Sequence, residues 1–311
     1  MKWSGWLLGI ILAIGVYSIF IIFSDGAILV QNLQKIKVEY VLLGVLVIFV
    51  GLVLRAFRWQ LMIKKLEVDI NWKPSMLIYF CGLAFALTPW KLGEVIKVHY
   101  LKRLVNVPES KTAPTIIVER FFDIFAILVI GVSTLLLIGF QNELVIVSGF
   151  IAIAVFLILI YKKKYLIKFL EKIQSIRFIG KISQKLIPSI DIIYILLKPK
   201  IFAKLALLTT VTWLVESLVI YFILKSFEIE IEVIKSIFIY VISSLVGTAS
   251  LLPAGIGGIE AGLLGFFLLE GISYDDAIGP ILLIRIIVLW MTIIFGIIIN
   301  RIVEMTILKN K

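Results

Sequence analysis

The sequence has almost no cysteine or histidine and few charged residues. It has one cysteine, Cys81, and one histidine, His99, which excludes an internal disulfide and argues against a zinc site. Charged residues make up only 16% of the 311 residues, whereas 61% are apolar, against about 45–50% in soluble proteins. The composition therefore predicts an integral membrane protein without a cofactor. It excludes a soluble enzyme, a DNA-binding module and a disordered scaffold.

Six apolar stretches are long enough to cross a membrane, since a spanning helix needs about 20 apolar residues. They are about 3–24, 40–62, 112–139, 143–161, 203–225 and 278–301. We predict an all-α polytopic membrane protein in which residues 1–311 form a single integral membrane domain.

Two further apolar stretches are interrupted by proline and glycine. Residues 75–88 end at Pro89, and 94–105 follow the interruption; residues 235–252 end at Pro253, and 259–271 follow. Proline removes a backbone donor and glycine relaxes the backbone, and such breaks survive at membrane depth only where protein or water satisfies the freed groups. We predict two re-entrant hairpins, each a helix, a break and a second helix.

The basic residues indicate an orientation. With six crossings, two hairpins and a cytoplasmic N-terminus, the predicted inner segments carry 25 of the 31 lysines and arginines, and the outer segments carry four. Basic residues accumulate in cytoplasmic loops, so we predict a multi-pass protein of the cell membrane with both termini in the cytoplasm. The net charge of +11 thus serves orientation, and we expect no nucleic-acid partner. The basic segment 162–200 is predicted to be a cytoplasmic amphipathic linker on anionic lipid.

The two halves of the chain share one layout. Residues 40–139 and 203–301 each contain a spanning helix, a broken hairpin and a second spanning helix with an arginine. Pro89 precedes Arg120 by 31 residues, and Pro253 precedes Arg285 by 32. The distribution of basic residues places the ends of the first hairpin on the cytoplasmic side and the ends of the second on the outer side. The pattern therefore predicts an inverted repeat, an arrangement common in transporters.

Several ionisable residues lie in segments predicted to be in the membrane, where each costs about 2.5–3.5 kcal/mol to insert. The candidate substrate-binding residues are Lys91, Glu94, Glu119, Arg120, Asp123, Glu216, Glu260 and Arg285. We expect Arg120 and Arg285 to contact a phosphate headgroup, which a guanidinium binds through paired hydrogen bonds. Glu94, Glu216 and Glu260 would balance these arginines or bind a coupling proton or cation. The alternative is a set of buried ion pairs that lock the hairpins to the bundle. Arg55, Arg58 and Trp59 are predicted to be an interfacial anchor.

An ordered set of motifs resembles the transmembrane region of the lysylphosphatidylglycerol synthase family, also called flippase-like membrane proteins. The motifs are Arg55-Ala-Phe-Arg58-Trp59, Pro89-Trp-Lys-Leu-Gly93-Glu94, Glu119-Arg120-Phe-Phe-Asp123, Pro253-Ala-Gly255-Ile-Gly257-Gly-Ile-Glu260 and Arg285. The resemblance covers about residues 5–305. It implies movement of a lipid between leaflets, without the soluble aminoacyl-transfer domain of the larger members. Trp90, Lys91 and Ala254 depart from the pattern of the family.

Three functions stay open at this point. The first is a lipid flippase whose substrate is a phospholipid or a polyprenyl phosphate-linked carrier. The second is an intramembrane enzyme acting on a lipid phosphate or a lipid-linked sugar, with Glu94 or Glu260 as general base. The third is a scaffold that holds a glycosyltransferase. The sequence leaves the oligomeric state open.

Overall fold

The computed structural model describes residues 4–88, 93–139, 143–161 and 190–306, and within these ranges it contains helices and no strands. The helices of the first half are α1 (Ser4–Phe23), α2 (Gly26–Gln34), α3 (Val38–Lys65), α4 (Trp72–Leu83), α5 (Ile96–Val105), α6 (Glu109–Thr112), α7 (Pro114–Leu137) and α8 (Glu143–Tyr161). Those of the second half are α9 (Ile190–Leu196), α10 (Pro199–Ser226), α11 (Val233–Ala249), α12 (Gly258–Leu269), α13 (Tyr274–Arg285) and α14 (Thr292–Thr306). The predicted all-α fold class is confirmed.

Four helical stretches of the described residues are long and apolar enough to cross a membrane: Val38–Lys65, Glu109–Leu137, Pro199–Ser226 and Tyr274–Thr306. They correspond to four of the six predicted crossings. The predicted first crossing is α1, which bends by 100° into α2, and the count rises to five if this pair is one span. The predicted crossing at 143–161 coincides with α8.

A π-helical turn, Ile286–Met291, joins α13 to α14 without interrupting the long helical stretch. Such turns are rare and occur mostly as single-turn bulges, frequently beside functional sites. Arg285 directly precedes this turn, so the wider helix lies next to one of the predicted site residues.

Both interrupted stretches form pairs of packed helices. In the second half, α11 packs along α12, and the break between them contains the 3-10 turn Pro253–Gly255. Gly257 adopts φ +87°, a left-handed conformation that suits glycine, and its amide donates to Glu260 at 2.8 Å. In the first half, α4 packs against α5, and the predicted Pro89 break falls at residues 89–92, outside the described part.

The helices of the two halves contact each other in a reciprocal way. The long helices α3 and α10 pack along each other, α4 of the first half packs on α14, and α11 of the second half packs on α7. The helix before each interruption therefore packs on a long helix of the other half, α4 on α14 and α11 on α7. The residues next to the two interruptions also meet, because Ala86 and Leu87 share a buried apolar cluster with Ile256, Leu289 and Ala13 of α1.

A glycine at each of these reciprocal contacts allows a close approach. Gly131 of α7 faces Ile242 of α11, and Gly296 of α14 faces the end of α4. These glycines stand eleven residues after Arg120 and Arg285, so the spacing is the same in both halves. A Cβ atom on Gly296 would lie 2.8 Å from the carbonyl carbon of Leu83 and would also press on the backbone nitrogen of Ala84.

Gly296→Ala is therefore expected to destabilise the protein by about 1–3 kcal/mol, the usual effect of overpacking. The backbone of α4 cannot move aside as a flexible side chain could. Gly265→Ala is the matched control, because nothing lies within 4 Å of a Cβ atom there and alanine favours a helix over glycine. Thermal unfolding in detergent checks the prediction, and equal unfolding temperatures for the two variants would contradict it.

The linker 162–200 is described only from residue 190 onwards. Its described helix α9 turns Ile190, Ile193 and Leu196 inward, where they are buried, and it packs on α7 and α3. The apolar face of this short helix thus belongs to the helix bundle. The remainder of the predicted amphipathic linker lies outside the described residues.

Candidate functional site

The centre of the molecule holds an ion pair between the two long helices. Arg55 of α3 donates from Nε and Nη2 to the two carboxylate oxygens of Glu216 on α10, both at 2.6 Å. Gly51, one turn before Arg55, makes room for this pair, since a Cβ atom there would lie 2.6 Å from Oε1 of Glu216. This is the planar, two-pronged geometry in which an arginine binds a carboxylate most strongly.

Asp123 of α7 joins several cations to this pair. Its Oδ1 atom accepts hydrogen bonds from Arg58 at 2.7 Å, from Arg55 at 3.2 Å and from the indole of Trp213 at 3.3 Å. Arg120 approaches its Oδ2 atom at 3.3 Å. A buried carboxylate needs such partners to remain charged in a medium of low dielectric constant, and Asp123 obtains them from three different helices.

Lys97 of α5 forms a second centre beside the first. Its Nζ atom lies 2.9 Å from Oε2 of Glu94 and 2.7 Å from Oε2 of Glu119, and it also lies 4.8 Å from the ring centroids of Trp59 and Tyr79. The side chain of Lys97 is only 1% exposed. Two carboxylates and two aromatic faces thus replace the water around this ammonium group.

Arg285 and Glu260 form an ion pair within the second half of the chain. Nε of Arg285 donates to Oε1 of Glu260 at 2.7 Å, and Nη2 donates to the carbonyl of Ala254 in the hairpin break at 3.2 Å. Glu260 also accepts the amide of Gly257, and a carboxylate at this N-terminal end of α12 is favoured by the helix dipole. The arginine therefore ties the long helix to the broken backbone of the neighbouring hairpin.

One cavity of about 260 Å³ lies between the two halves. From the first half it is lined by Arg55, Glu94, Arg120 and Asp123, and from the second by Glu216 and Arg285. Apolar and aromatic residues form most of the remaining wall. Arg120 and Arg285, which stand 165 residues apart in the chain, thus face the same space.

Other predicted site residues lie elsewhere. Glu119 and Glu260 are fully buried; Glu119 forms an ion pair with Lys97, and Glu260 forms one with Arg285. Neither glutamate lines the cavity. Glu216 was expected to balance Arg120 or Arg285 but binds Arg55 instead, because α10 packs along α3. Lys91 lies outside the described residues.

The prediction that Arg55, Arg58 and Trp59 form an interfacial anchor is wrong. Arg58 and Trp59 are buried, and Arg55 lines the cavity. The sequence contains evidence that these residues lie within the helix bundle, because the apolar pattern of α3 continues past both arginines through Leu61-Met62-Ile63. The positive-inside count also assigned Arg55, Arg58 and Lys97 to cytoplasmic segments, whereas they serve a buried cluster.

Among the described residues, the cluster around the cavity is electrically balanced. Its first part contains four cations and four carboxylates in contact: Arg55, Arg58, Lys97 and Arg120 with Glu94, Glu119, Asp123 and Glu216. Arg285 and Glu260 add one of each. The contacts differ in quality, since those of Arg120 to Glu94 and Asp123 measure 3.3–3.4 Å, longer than the 2.7–2.9 Å of a strong charged hydrogen bond.

Comparison with known proteins places this arrangement in a family. Residues 6–296 match the family described as the Lysylphosphatidylglycerol synthase TM region. A UPF0104 membrane protein of Methanocaldococcus jannaschii is 29% identical over 72% of this chain and 96% of its own length. Relatives of the same description from Pyrococcus horikoshii and Methanothermobacter thermautotrophicus are 24% and 22% identical over 86% and 96% of the chain, and over 88% and 95% of their own lengths. The chain is therefore a membrane protein of the lysylphosphatidylglycerol synthase transmembrane family.

Proposed function

We propose that this protein moves a lipid with an anionic phosphate headgroup between the two leaflets of the cell membrane. The observation that carries the proposal is the cavity between the halves, which brings Arg120 and Arg285 into one charged space within a helix bundle of membrane-spanning length. Ionisable groups at such depth are costly and mark substrate or ion pathways in membrane proteins. The charge pattern of the loops supports a location of both termini in the cytoplasm.

The size and lining of the cavity fit a headgroup. Its volume of about 260 Å³ lies just below the range of about 300–1,000 Å³ that is common for small-molecule sites. A headgroup can enter a space of this size, but a whole lipid with its chains cannot. The charged residues would replace the water that a phosphate loses when it leaves the interface.

Arg120 is the arginine best prepared to bind this phosphate. Its side chain is 28% exposed and its ion pairs are long, whereas the side chain of Arg285 is 3% exposed and binds Glu260 at 2.7 Å. If Arg120 turned to a phosphate, Glu94 would keep its contact with Lys97 at 2.9 Å. The exchange therefore leaves no carboxylate without a cation, which keeps its cost low.

The reciprocal packing supports the inverted repeat as the basis of transport. Arg55 is the eighteenth residue of α3, Glu216 is the eighteenth residue of α10, and both helices have 28 residues. Equivalent positions of the two proposed repeats thus meet in one ion pair. Two repeats that rock against each other about a fixed site give alternating access, and the pair between Arg55 and Glu216 is a direct contact between the two proposed repeats.

Arg120→Gln is expected to slow lipid movement at least tenfold, a loss of about 1.4 kcal/mol of barrier lowering, while the protein stays folded. Glutamine keeps a polar, hydrogen-bonding side chain but removes the charge that binds phosphate. The assay is the loss of fluorescence of a labelled anionic phospholipid on addition of dithionite to proteoliposomes. Arg301→Gln is the matched control, because Arg301 is exposed on α14.

Arg285 is the second arginine that faces the cavity. Arg285→Gln is expected to slow movement and to destabilise the protein, because it leaves Glu260 buried with only an amide partner. If Arg120→Gln and Arg285→Gln both moved the labelled lipid at the rate of the unmodified protein, neither arginine would bind the headgroup. If the unmodified protein moved no lipid in vesicles of bacterial or archaeal lipid extract, the function itself would be wrong.

A further inference from the structure

The cavity has a mouth on one side. Most residues of its wall are buried, but Thr248 and Leu252 at the end of α11 are exposed, and Arg120 and Ile124 on α7 are partly exposed. The cavity therefore opens between α7 and the tip of the second hairpin. Farther along the same two helices, Gly131 and Ile242 pack closely, so the opening is confined to the end of α11 near the break.

The rim of this mouth is apolar. Leu251 and Leu252 are 57% and 39% exposed, and Val246 is exposed beside them. The hydroxyl groups at the rim are already satisfied, since Thr248 donates to the carbonyl of Ser244 at 2.8 Å and Ser250 donates to that of Gly247 at 2.7 Å. Such hydrogen bonds to the preceding helical turn leave no donor that needs water.

The cavity is therefore amphipathic along its length. Its inner wall carries the carboxylates and arginines, and its mouth offers leucine, isoleucine, valine and a threonine methyl group. A mouth that opened to water at this depth would expose these apolar side chains at a cost of about 25 cal/mol per Å². A mouth that opens to the hydrocarbon of the bilayer has no such cost.

We propose that this mouth is a lateral portal through which the hydrocarbon chains of the lipid remain in the bilayer while the headgroup occupies the cavity. The proposal rests on lipid movement as the function and adds the site of the chains. Charge on the inner wall matches the headgroup, and the apolar rim, Val246, Thr248, Leu251 and Leu252 with Ile124, matches an acyl or polyprenyl chain.

The environment of the mouth can be measured without any transport. A nitroxide on Thr248→Cys, in a Cys81→Ala background, is expected to collide more with oxygen than with a water-soluble nickel chelate. Labels at Leu46, which is exposed on α3, and at Glu230, in an exposed loop, give the lipid and water references. Collision rates at Thr248 that match those at Glu230 would overturn the portal and would leave lipid movement as a function untouched.

The second test blocks the mouth. Thr248→Trp is expected to slow movement of a labelled phospholipid at least tenfold in proteoliposomes, because an indole fills the space the chains need. Val233→Trp is the matched control, since Val233 is exposed at the other end of the same helix, away from the rim, and does not line the cavity. Both variants should show the circular dichroism of the unmodified protein. Equal rates for the two variants would contradict the portal, whether both are fast or both are slow.

A photoactivatable group on the acyl chain of a phospholipid gives the third measurement. Illumination in proteoliposomes is expected to label the peptide that contains Thr248 and Leu252 more strongly than the exposed outer surface around Leu46. If both surfaces were labelled in proportion to their exposure, the chains would contact the mouth only as they contact any lipid-facing surface, and the portal would be wrong.

Discussion

Lys97→Met is expected to lower the free energy of unfolding by about 3–5 kcal/mol, the usual cost of removing one partner of a buried ion pair. The substitution keeps a long, unbranched side chain but leaves Glu94 and Glu119 close together without their shared cation. Among the described residues, the next cation for Glu119 is Arg120 at 4.0 Å, and the Oε1 atom of Glu119 has no hydrogen-bond partner there. Two neighbouring carboxylates in a medium of low dielectric constant repel each other strongly.

The control for this variant lies on the same helix. Lys102→Met removes a lysine of α5 whose side chain is exposed, so we expect a change below about 0.5 kcal/mol. Unfolding by sodium dodecyl sulfate in mixed micelles, followed by tryptophan fluorescence, measures both variants.

A rescue variant separates charge from packing. In Lys97→Met/Glu119→Gln the net charge of the cluster is again zero, so we expect a large part of the lost stability to return. If the double variant were as unstable as Lys97→Met alone, the loss would come from packing of the lysine stem against Gly82, whose Cβ position lies 3.0 Å from it.

The second large effect is expected at the pair of Arg55 and Glu216. Arg55→Met leaves Glu216 buried without a cation and should lower the free energy of unfolding by about 3–5 kcal/mol. Glu216→Gln should cost less, because Arg55 keeps a contact with Asp123 at 3.2 Å. In a double-mutant cycle, the two changes together should cost less than their sum by about 2–3 kcal/mol.

An exposed pair gives the control for this cycle. Lys235 and Glu270 lie 2.8 Å apart, yet both side chains are about 30% exposed, so a cycle at this pair should give a coupling energy below about 1 kcal/mol. Similar coupling energies at the two pairs would contradict a buried, strongly coupled pair at the centre. The same variants also test the proposed transport, since a contact between the two proposed repeats should affect both stability and rate.

These predictions separate two roles of the charged residues. Lys97 and Arg285 form short contacts within their own halves, and Arg55 joins the two halves through Glu216, which corresponds to the locking role considered from the sequence. Arg120 has longer contacts and greater exposure, which suits exchange with a substrate. The cluster thus combines a structural network with one arginine prepared for binding.

Much of the fold could be predicted because membrane insertion imposes strict patterns on the sequence. Apolar runs of about 20 residues identified the four long spans, and proline with glycine located the break between α11 and α12. Five of the candidate residues, Arg120, Arg285, Glu94, Asp123 and Glu216, line one cavity, and their role in binding a substrate stays a prediction. They could be recognised in the sequence because an ionisable residue within an apolar run is costly to insert into a membrane and usually serves a function there.

The sequence by itself determined the helical class, the approximate spans and the presence of unusual charges, because each follows from local hydrophobicity along the chain. Only the tertiary structure decided the partners of these charges. Glu216 binds Arg55 and not Arg120 or Arg285 because α10 packs along α3. Lys97 binds Glu119 because the chain turns back through the short helix α6, which contacts both α5 and α7. A charge can be recognised from its neighbours in the chain, but which opposite charge neutralises it depends on which helices pack together.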